Sequence, residues 1–138
     1  MILRPSWLFG KYGKNNFIEK FKNNIKNNNE IKVVNDQIGN ITSTLTVIKA
    51  IKEYINNNIP NGIYNIQNND EYVSRYDIAC FIKNYLNINC IIKPCKTTDF
   101  ILPAKRQLNS KLNTKKIRKY ININSWKDEL INYLEETK

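Results

Sequence analysis

Histidine is absent from the 138 residues of this chain. Its absence excludes Ser-His-Asp and Cys-His catalysis within the chain and removes the commonest protein ligand for a metal ion. The three cysteines, Cys80, Cys90 and Cys95, show no C-x-x-C spacing, which argues against a disulfide framework and against a zinc site. The sequence therefore predicts no metal-binding residues.

Glycine is scarce, with four residues in the whole chain. No G-x-G-x-x-G turn and no G-x-x-x-x-G-K-[ST] phosphate loop can be written from them, and the GKYG segment from Gly10 to Gly13 predicts a tight turn. No tyrosine is followed four positions later by lysine, a pairing that would lower the tyrosine pKa for proton transfer. We therefore predict no cofactor-binding and no catalytic residue in this chain.

Long apolar runs are missing too, and no stretch approaches the ~20 residues that a membrane span needs. Arg4 and Pro5 interrupt the apolar N-terminus after two residues, which argues against a signal peptide. The length fits one domain over residues 1–138. We expect a cytoplasmic protein with no membrane partner.

Positive charge is abundant, and the formal net charge is +10. Such an excess suits a polyanionic partner such as a nucleotide diphosphate or a nucleic acid. The abundance of Asn, Ile and Lys also fits an AT-rich coding sequence, which would place much of the lysine on solvated faces. Because no recognised nucleic-acid-binding motif accompanies the charge, we do not expect a nucleic-acid partner, and a small basic nucleic-acid binder is the third alternative for function.

Helical and strand patterns alternate along the chain, which predicts an α/β fold. About four strands and four helices are expected. The predicted strands are Ile2–Leu3 (ended by Arg4-Pro5), residues 30–35, 63–66 and 90–93, and the predicted helices are residues 15–28, 44–55, 75–86 and a last one starting near Ser125.

Two polar clusters follow predicted strands, where ligands of α/β sheets usually bind. Ser6 and Trp7 offer a hydroxyl and an aromatic ring that can stack on a base or a sugar, although a half-buried core tryptophan would give the same pattern. Asn35, Asp36 and Gln37 can read sugar hydroxyls, or can form a turn in which the side chains bond to nearby backbone.

A third cluster lies in an irregular segment and combines Lys105 and Arg106 with Asn109 and Ser110. The planar guanidinium of Arg106 matches phosphate or carboxylate, and the two neutral side chains can add hydrogen bonds. A solvated basic loop is the alternative interpretation. Sequence alone does not choose between them.

Five segments together resemble the C-terminal half of the dTDP-4-dehydrorhamnose reductases, which are extended short-chain dehydrogenase/reductases. They are LRPSWLFGKYGKNNF, IKVVNDQIG, GIYNI, SRYDIA and PAKRQLNSKLNTKKI. The resemblance implies the C-terminal, substrate-binding portion of an NAD(P)-binding Rossmann-type fold, without the N-terminal dinucleotide-binding half. It implies NADPH as cofactor of the complete enzyme, with none bound by this chain alone.

The resemblance also implies where a nucleotide-sugar would bind. The matching positions are Ser6 and Trp7 beside the sugar, Arg106, Asn109 and Ser110 near the diphosphate and base, and Asn35, Asp36 and Gln37 shaping the pocket. The expected function is the substrate-binding half of an NADPH-dependent reductase in dTDP-L-rhamnose synthesis, inactive alone and partnered by a separate Rossmann-domain polypeptide. The alternatives are a half-enzyme for a UDP-linked 4-keto-6-deoxy sugar, or a non-catalytic regulatory module of the same descent that docks on a partner.

Four positions depart from the family's pattern, and each is expected to alter loop geometry. Pro5 stands where Thr is usual, Ile41 and Gln107 each replace a Pro, and Thr46 replaces an Asp early in a helix. The change at Thr46 removes a first-turn carboxylate that would favour the helix N-terminus. Together these departures fit relaxed function.

Overall fold

The computed structural model describes residues 1–13, 15–68, 71–101 and 103–137. Contacts divide the chain into two compact units. The first unit comprises Met1–Gly13, Asn40–Glu71 and Lys111–Lys138, and the second comprises Lys14–Gly39 and Tyr72–Ser110. The expectation of a single domain over residues 1–138 stays a prediction.

The described residues form four α-helices, as the sequence predicts, and eight short strands, where about four are expected; strands and helices alternate along the chain. In chain order they are β1 (Ile2–Pro5), β2 (Leu8–Phe9), α1 (Phe17–Asn27), β3 (Glu30–Val34), β4 (Ile38–Gly39), β5 (Thr42–Ser43), α2 (Thr44–Asn56), β6 (Ile63–Ile66), β7 (Val73–Ser74), α3 (Arg75–Leu86), β8 (Ile91–Cys95) and α4 (Trp126–Glu136). Two short 3-10 turns cover Thr97–Asp99 and Ile117–Lys119.

The first unit is built on a strand–helix–strand arrangement. β1 pairs in parallel with β6, with Leu3 opposite Tyr64, and α2 lies between them in sequence, as parallel pairing requires a long crossover. A second parallel pair joins β2 to β5. Apolar side chains from these elements and from the C-terminal segment form one buried cluster, made of Ala50, Ile59, Tyr64, Ile66, Ile117, Ile121 and Ile123.

The prediction that β1 ends before Arg4 is wrong, because the strand continues through Pro5. Pro5 lies in register with Ile66 at the end of the ladder. Proline has no N–H to donate and is tolerated at strand ends and on strands paired along one side. In the described part of the chain β1 pairs with β6 alone, which accommodates it.

The second unit repeats the arrangement. β3 pairs in parallel with β8, with Val33 opposite Pro94, and α3 lies between them in sequence. β4 and β7 form a short antiparallel pair. The apolar core of this unit is buried beneath α1 and α3 and contains Ile18, Phe21, Ile25, Val33, Val34, Ile78, Ala79, Ile82, Cys90 and Cys95.

Each α-helix begins at a residue whose side chain satisfies a free backbone N–H. Asn16, Ser43, Ser74 and Ser125 accept hydrogen bonds from the first turns of α1, α2, α3 and α4. At the start of α3, the Asp77 carboxylate also accepts a hydrogen bond from the Ser74 amide at 2.8 Å, which completes a capping box.

The face that α2 buries is not the one that its apolar residues predict. Thr46 and Ala50 are its buried residues, whereas four of its large apolar residues, Leu45, Ile48, Ile51 and Ile55, are between 45% and 70% exposed. Thr46 accepts a hydrogen bond from the Asn68 side-chain amide at 2.8 Å. The departure at Thr46 therefore serves a buried polar contact. None of the helices in the described ranges is long and apolar enough to span a bilayer.

Candidate functional site

Ser6 lies in the first unit, directly after β1, and both of its polar oxygens are engaged. Its hydroxyl donates to the Asn40 carbonyl oxygen at 3.0 Å and accepts from the side-chain amide of Gln67. Its carbonyl oxygen accepts from Thr42 Oγ1 at 2.6 Å. Gln67 in turn accepts the Leu112 amide at 3.1 Å, so Ser6 joins three segments of this unit. Its predicted role in ligand binding stays a prediction.

Trp7 follows with an unusual backbone conformation. It is half-buried, and its φ angle of +43° lies in the left-handed region. For a residue with a bulky side chain this conformation costs roughly 1–2 kcal/mol and persists only where the surroundings enforce it. The Thr42 amide donates to the Trp7 carbonyl oxygen at 3.2 Å and helps to hold it. Strain of this kind collects at functional sites, which fits the predicted ligand contact.

The Asn35-Asp36-Gln37 turn lies in the second unit, where β3 ends, and its side chains bond to the segment that follows β8. Asp36 accepts the backbone amide of Thr97 at 2.9 Å and the Thr97 hydroxyl at 2.7 Å. Asn35 Oδ1 accepts from Lys96 Nζ at 3.0 Å. Besides these partners about sixty residues away, the Asp36 carboxylate also bonds to its own backbone, as the turn interpretation predicts.

These contacts set the ionisation of Asp36. Burial on its own raises the pKa of the Asp36 carboxyl, but the backbone and side-chain hydrogen bonds from Thr97, together with the charge of Lys96, hold it below its ordinary value of 3.8. Asp36 is therefore a carboxylate at neutral pH. Its oxygens are occupied by Thr97, so its main effect is to fix the end of β8 against the turn.

Gln37 is buried and holds an arginine that sequence reasoning did not single out. Its Oε1 accepts from Arg75 Nε at 2.8 Å, and its Nε2 donates to Thr97 Oγ1 at 3.1 Å. The Arg75 guanidinium also stacks on the Phe17 ring, with 4.9 Å between Cζ and the ring centroid. Position 75 reads in sequence as the first residue of a helix, and no local signal shows that Gln37 will meet it.

The segment that carries Arg106, Asn109 and Ser110 is tied to β4. The Ile38 amide donates to the Leu108 carbonyl oxygen at 2.7 Å, and the Ser110 amide donates to the Ile38 carbonyl oxygen at 2.8 Å. Asn109 lies opposite Ile38 in a parallel bridge. The backbone of this segment is thus fixed beside β4, immediately after the Asn35-Asp36-Gln37 turn.

Two cavities open beside this turn. The larger, about 410 Å³ and called here the cationic cavity, is lined by Asn15, Phe17, Lys20, Phe21, Asn24, Ile31, Lys32, Val33, Val34, Gln37, Arg75, Phe100 and Arg106. The smaller, about 260 Å³, is lined by Asp36, Thr97, Thr98, Phe100, Ala104, Lys105, Arg106 and Leu108. Phe100 and Arg106 line both cavities.

The charge around the cationic cavity is of one sign. Lys20, Lys32, Arg75 and Arg106 line it, and no Asp or Glu occurs among its described lining residues. Burial, and secondarily the positive charge of Arg106, lower the pKa of Arg75 to about 10. Arg75 remains protonated at neutral pH. A cavity with this lining suits an anion that two guanidinium groups can chelate.

The predicted site residues thus fall into two groups. Ser6 and Trp7 belong to the first unit, and the other six belong to the second. Gln37 and Arg106 meet in the cationic cavity, and Asp36 and Arg106 meet in the smaller one. Asn35, Asn109 and Ser110 are not among the described lining residues of either cavity. What each residue binds stays a prediction.

NADPH, the cofactor that the resemblance implies for the complete enzyme, needs a site for its pyrophosphate. A dinucleotide pyrophosphate is held by a glycine-rich turn between a strand and a helix, and no such turn can be formed from Gly10, Gly13, Gly39 and Gly62. The chain therefore has no pyrophosphate turn of this kind, and no step of the cofactor's chemistry is assigned to its residues.

Solved structures share the fold of this chain. Chains of 14% and 15% sequence identity share the fold over nearly all of this chain, with TM-scores of 0.73 and 0.71. With a reductase structure of 32% identity, described below, they confirm the predicted fold class, the C-terminal portion of an extended short-chain dehydrogenase. Within that class the chain belongs to the RmlD substrate binding domain family, whose model matches residues 1–138.

More similar proteins agree with this membership. The dTDP-4-dehydrorhamnose reductase of Aggregatibacter actinomycetemcomitans is 34% identical over 146 residues, covering 96% of this chain and 49% of its own. The structure of the Bacillus anthracis dTDP-4-dehydrorhamnose reductase in complex with NADP is 32% identical, with a TM-score of 0.88, covering 99% of this chain and 48% of its own. A reductase ortholog from Clostridium acetobutylicum is 31% identical, with a TM-score of 0.89 and the same coverage. The chain spans about half the length of the curated relatives it matches.

Proposed function

We propose that this chain is the substrate-binding half of an NADPH-dependent dTDP-4-dehydrorhamnose reductase and binds a dTDP-linked 4-keto-6-deoxyhexose. Membership of the RmlD substrate binding domain family supports the class of ligand. The observation that carries the proposal is the meeting of Gln37 and Arg106 in the cationic cavity. Both residues are expected from the family's pattern to serve a nucleotide-sugar.

Arg106 is proposed to bind the diphosphate. Its guanidinium presents a fork of N–H donors that matches two phosphate oxygens. The same cavity is lined by the partly exposed ring of Phe17 and the exposed ring of Phe100, against which a base or a sugar ring can pack. Its volume of about 410 Å³ lies in the usual range for a small-molecule site.

Hydride and proton transfer are not proposed for these residues. A reductase of this class needs a dinucleotide-binding turn and a tyrosine–lysine pair, and the sequence contains neither. We expect the 138 residues alone to bind ligand without oxidising NADPH, with turnover requiring a polypeptide that supplies the Rossmann half. A cytoplasmic location, where nucleotide-sugars are made, is part of the proposal.

Calorimetric titration of the chain with dTDP-L-rhamnose, the product of the proposed reaction, tests this function. We expect saturable binding that Arg106→Gln weakens by at least 10-fold, since a charge-assisted hydrogen bond contributes about 1.5–3 kcal/mol. Arg4→Gln, on an exposed residue of β1, removes the same charge outside the cationic cavity and should bind like the wild type.

Parallel titrations with a UDP-linked sugar and with single-stranded DNA separate the alternatives. Tighter binding of the UDP sugar would transfer the proposal to that carrier. Preference for DNA, or oxidation of NADPH by the chain alone in the presence of the 4-keto sugar nucleotide, would contradict the proposed function.

A further inference from the structure

We propose that Arg75 supplies a second cationic contact in the ligand site, so that a diphosphate group is held between the guanidinium groups of Arg75 and Arg106. This inference deepens the proposed function and rests on it for the identity of the group that carries the diphosphate. Arg75 is thereby a binding and specificity-determining residue. The local sequence gives it no role beyond starting α3.

Arg75 is held by contacts on two sides before any ligand binds. Gln37 accepts its Nε at 2.8 Å, and Phe17 lies under its guanidinium plane at 4.9 Å. Gln37 is itself fixed by Thr97, which Asp36 holds at the end of β8. A guanidinium in a fixed orientation loses little rotamer freedom when it binds a ligand, so its hydrogen bonds contribute more to affinity.

The placement of Arg75 near Arg106 calls for an anion. The two guanidinium groups line one cavity, and the pKa of Arg75 is lowered by burial first and by the positive charge of Arg106 second. Like charges brought together in a partly buried site raise the energy of the empty protein. A dianion placed between them would relieve this repulsion and gain two bidentate contacts.

A diphosphate suits the cavity better than a single phosphate. Lys20 and Lys32 line the same cavity, so four cations face a volume of about 410 Å³. One tetrahedral anion cannot contact groups distributed around a space of that size, whereas a diphosphate offers more oxygens along a longer axis. The aromatic lining by Phe100 leaves room for the organic part of a nucleotide-sugar.

The first test measures binding of inorganic pyrophosphate to the full 138-residue chain by calorimetry. Arg75→Gln is compared with Arg4→Gln, which carries the same net charge but changes an exposed strand residue. We expect Arg75→Gln to weaken pyrophosphate binding by about 10- to 100-fold, the loss of a charge-assisted bidentate contact, with Arg4→Gln near the wild type. Arg75→Lys should recover part of the loss, because it keeps the charge and loses the fork. Equal binding by Arg75→Gln and Arg4→Gln would overturn the inference.

A second measurement uses the wild-type chain and does not depend on the folding of a variant. The side-chain amide resonance of Gln37 reports on Arg75 through their hydrogen bond. Pyrophosphate should shift this resonance along the binding curve, and equimolar chloride should not. An unshifted Gln37 amide at saturating pyrophosphate would also overturn the inference.

The same titrations separate this inference from the proposed function. Arg75-dependent binding of pyrophosphate with no tighter binding of dTDP-L-rhamnose supports the diphosphate contact and contradicts the nucleotide-sugar proposal. Tight binding of dTDP-L-rhamnose that is unaffected by Arg75→Gln supports the proposed function and overturns the role of Arg75.

Discussion

Asn68 is expected to be the polar side chain whose loss most destabilises the first unit. It is fully buried, and its amide joins three segments. Its Oδ1 accepts the Ser43 amide at 2.7 Å, and its Nδ2 donates to Thr46 Oγ1 at 2.8 Å and to the Asn124 carbonyl oxygen at 3.2 Å. These bonds fix the start of α2 and the approach to α4.

The substitution Asn68→Ala removes all three hydrogen bonds. Ser43 and Thr46 are themselves buried, so their polar groups lose partners that water cannot replace, whereas Asn124 is exposed and can bond to water. A buried polar group left without its partner costs about 1–3 kcal/mol, so the two buried groups of Ser43 and Thr46 together lower the free energy of unfolding by about 2–6 kcal/mol. That is a large part of the roughly 5–15 kcal/mol by which domains are usually stable.

Urea unfolding followed by circular dichroism measures the effect. Asn122→Ala, at an exposed position between two buried isoleucines, is the matched control and should change the free energy of unfolding by no more than about 0.5 kcal/mol. Thr46→Val should lose about 1 kcal/mol, since it removes one of the three bonds. If Asn68→Ala lowers the free energy of unfolding by no more than about 1 kcal/mol beyond Asn122→Ala, the reasoning is refuted. Removing a buried, fully hydrogen-bonded amide should cost more than that.

Three further predictions concern strain, acid stability and close packing. Trp7→Gly should weaken binding of dTDP-L-rhamnose but lower the free energy of unfolding by less than about 1 kcal/mol, because relief of the left-handed φ of +43° offsets the lost packing. Calorimetry measures the binding and urea unfolding measures the stability. Unchanged binding would contradict this prediction. The depressed pKa of Asp36 contributes stability that is complete above the ordinary carboxyl pKa of 3.8 and is lost as the pH falls below that value. The melting temperature should therefore decrease less between neutral and acid pH in Asp36→Asn than in the wild type. Equal decreases would count against the Thr97 contacts. A Cβ at Gly10 would overlap Thr44 Oγ1 and lie 3.1 Å from Thr44 Cβ, so Gly10→Ala should cost about 1–3 kcal/mol; the Gly10→Ala/Thr44→Ala double variant should be less destabilised than the sum of the two single variants, and strict additivity would refute the clash.

The longer elements follow from the sequence because their signals are local. Apolar spacing predicts the bounds of the helices to within about two residues. Ser74 and Ser125 cap the N-termini of α3 and α4, where free backbone N–H groups need an acceptor. The two-residue strands β2, β4, β5 and β7 are missed, since two residues show no alternation. Their pairing depends on partners elsewhere in the chain.

The face that α2 buries is also not encoded locally. Its large apolar residues stay exposed within the first unit, and the buried Thr46 is held by Asn68, a residue 22 positions away. The candidate site shows the same division. Arg106 can be chosen by its chemistry and by a family pattern, but Arg75 enters through a contact with Gln37 that joins positions 38 residues apart.

The most direct test of the proposed ligand site is to titrate the isotopically labelled chain with dTDP-L-rhamnose and to follow its backbone and arginine side-chain resonances. The largest changes should occur at Gln37, at Arg75 and at Arg106, three of the polar residues that line the cationic cavity. Changes confined to α4, or no saturable change at millimolar ligand, would contradict the assignment of this cavity to a nucleotide-sugar.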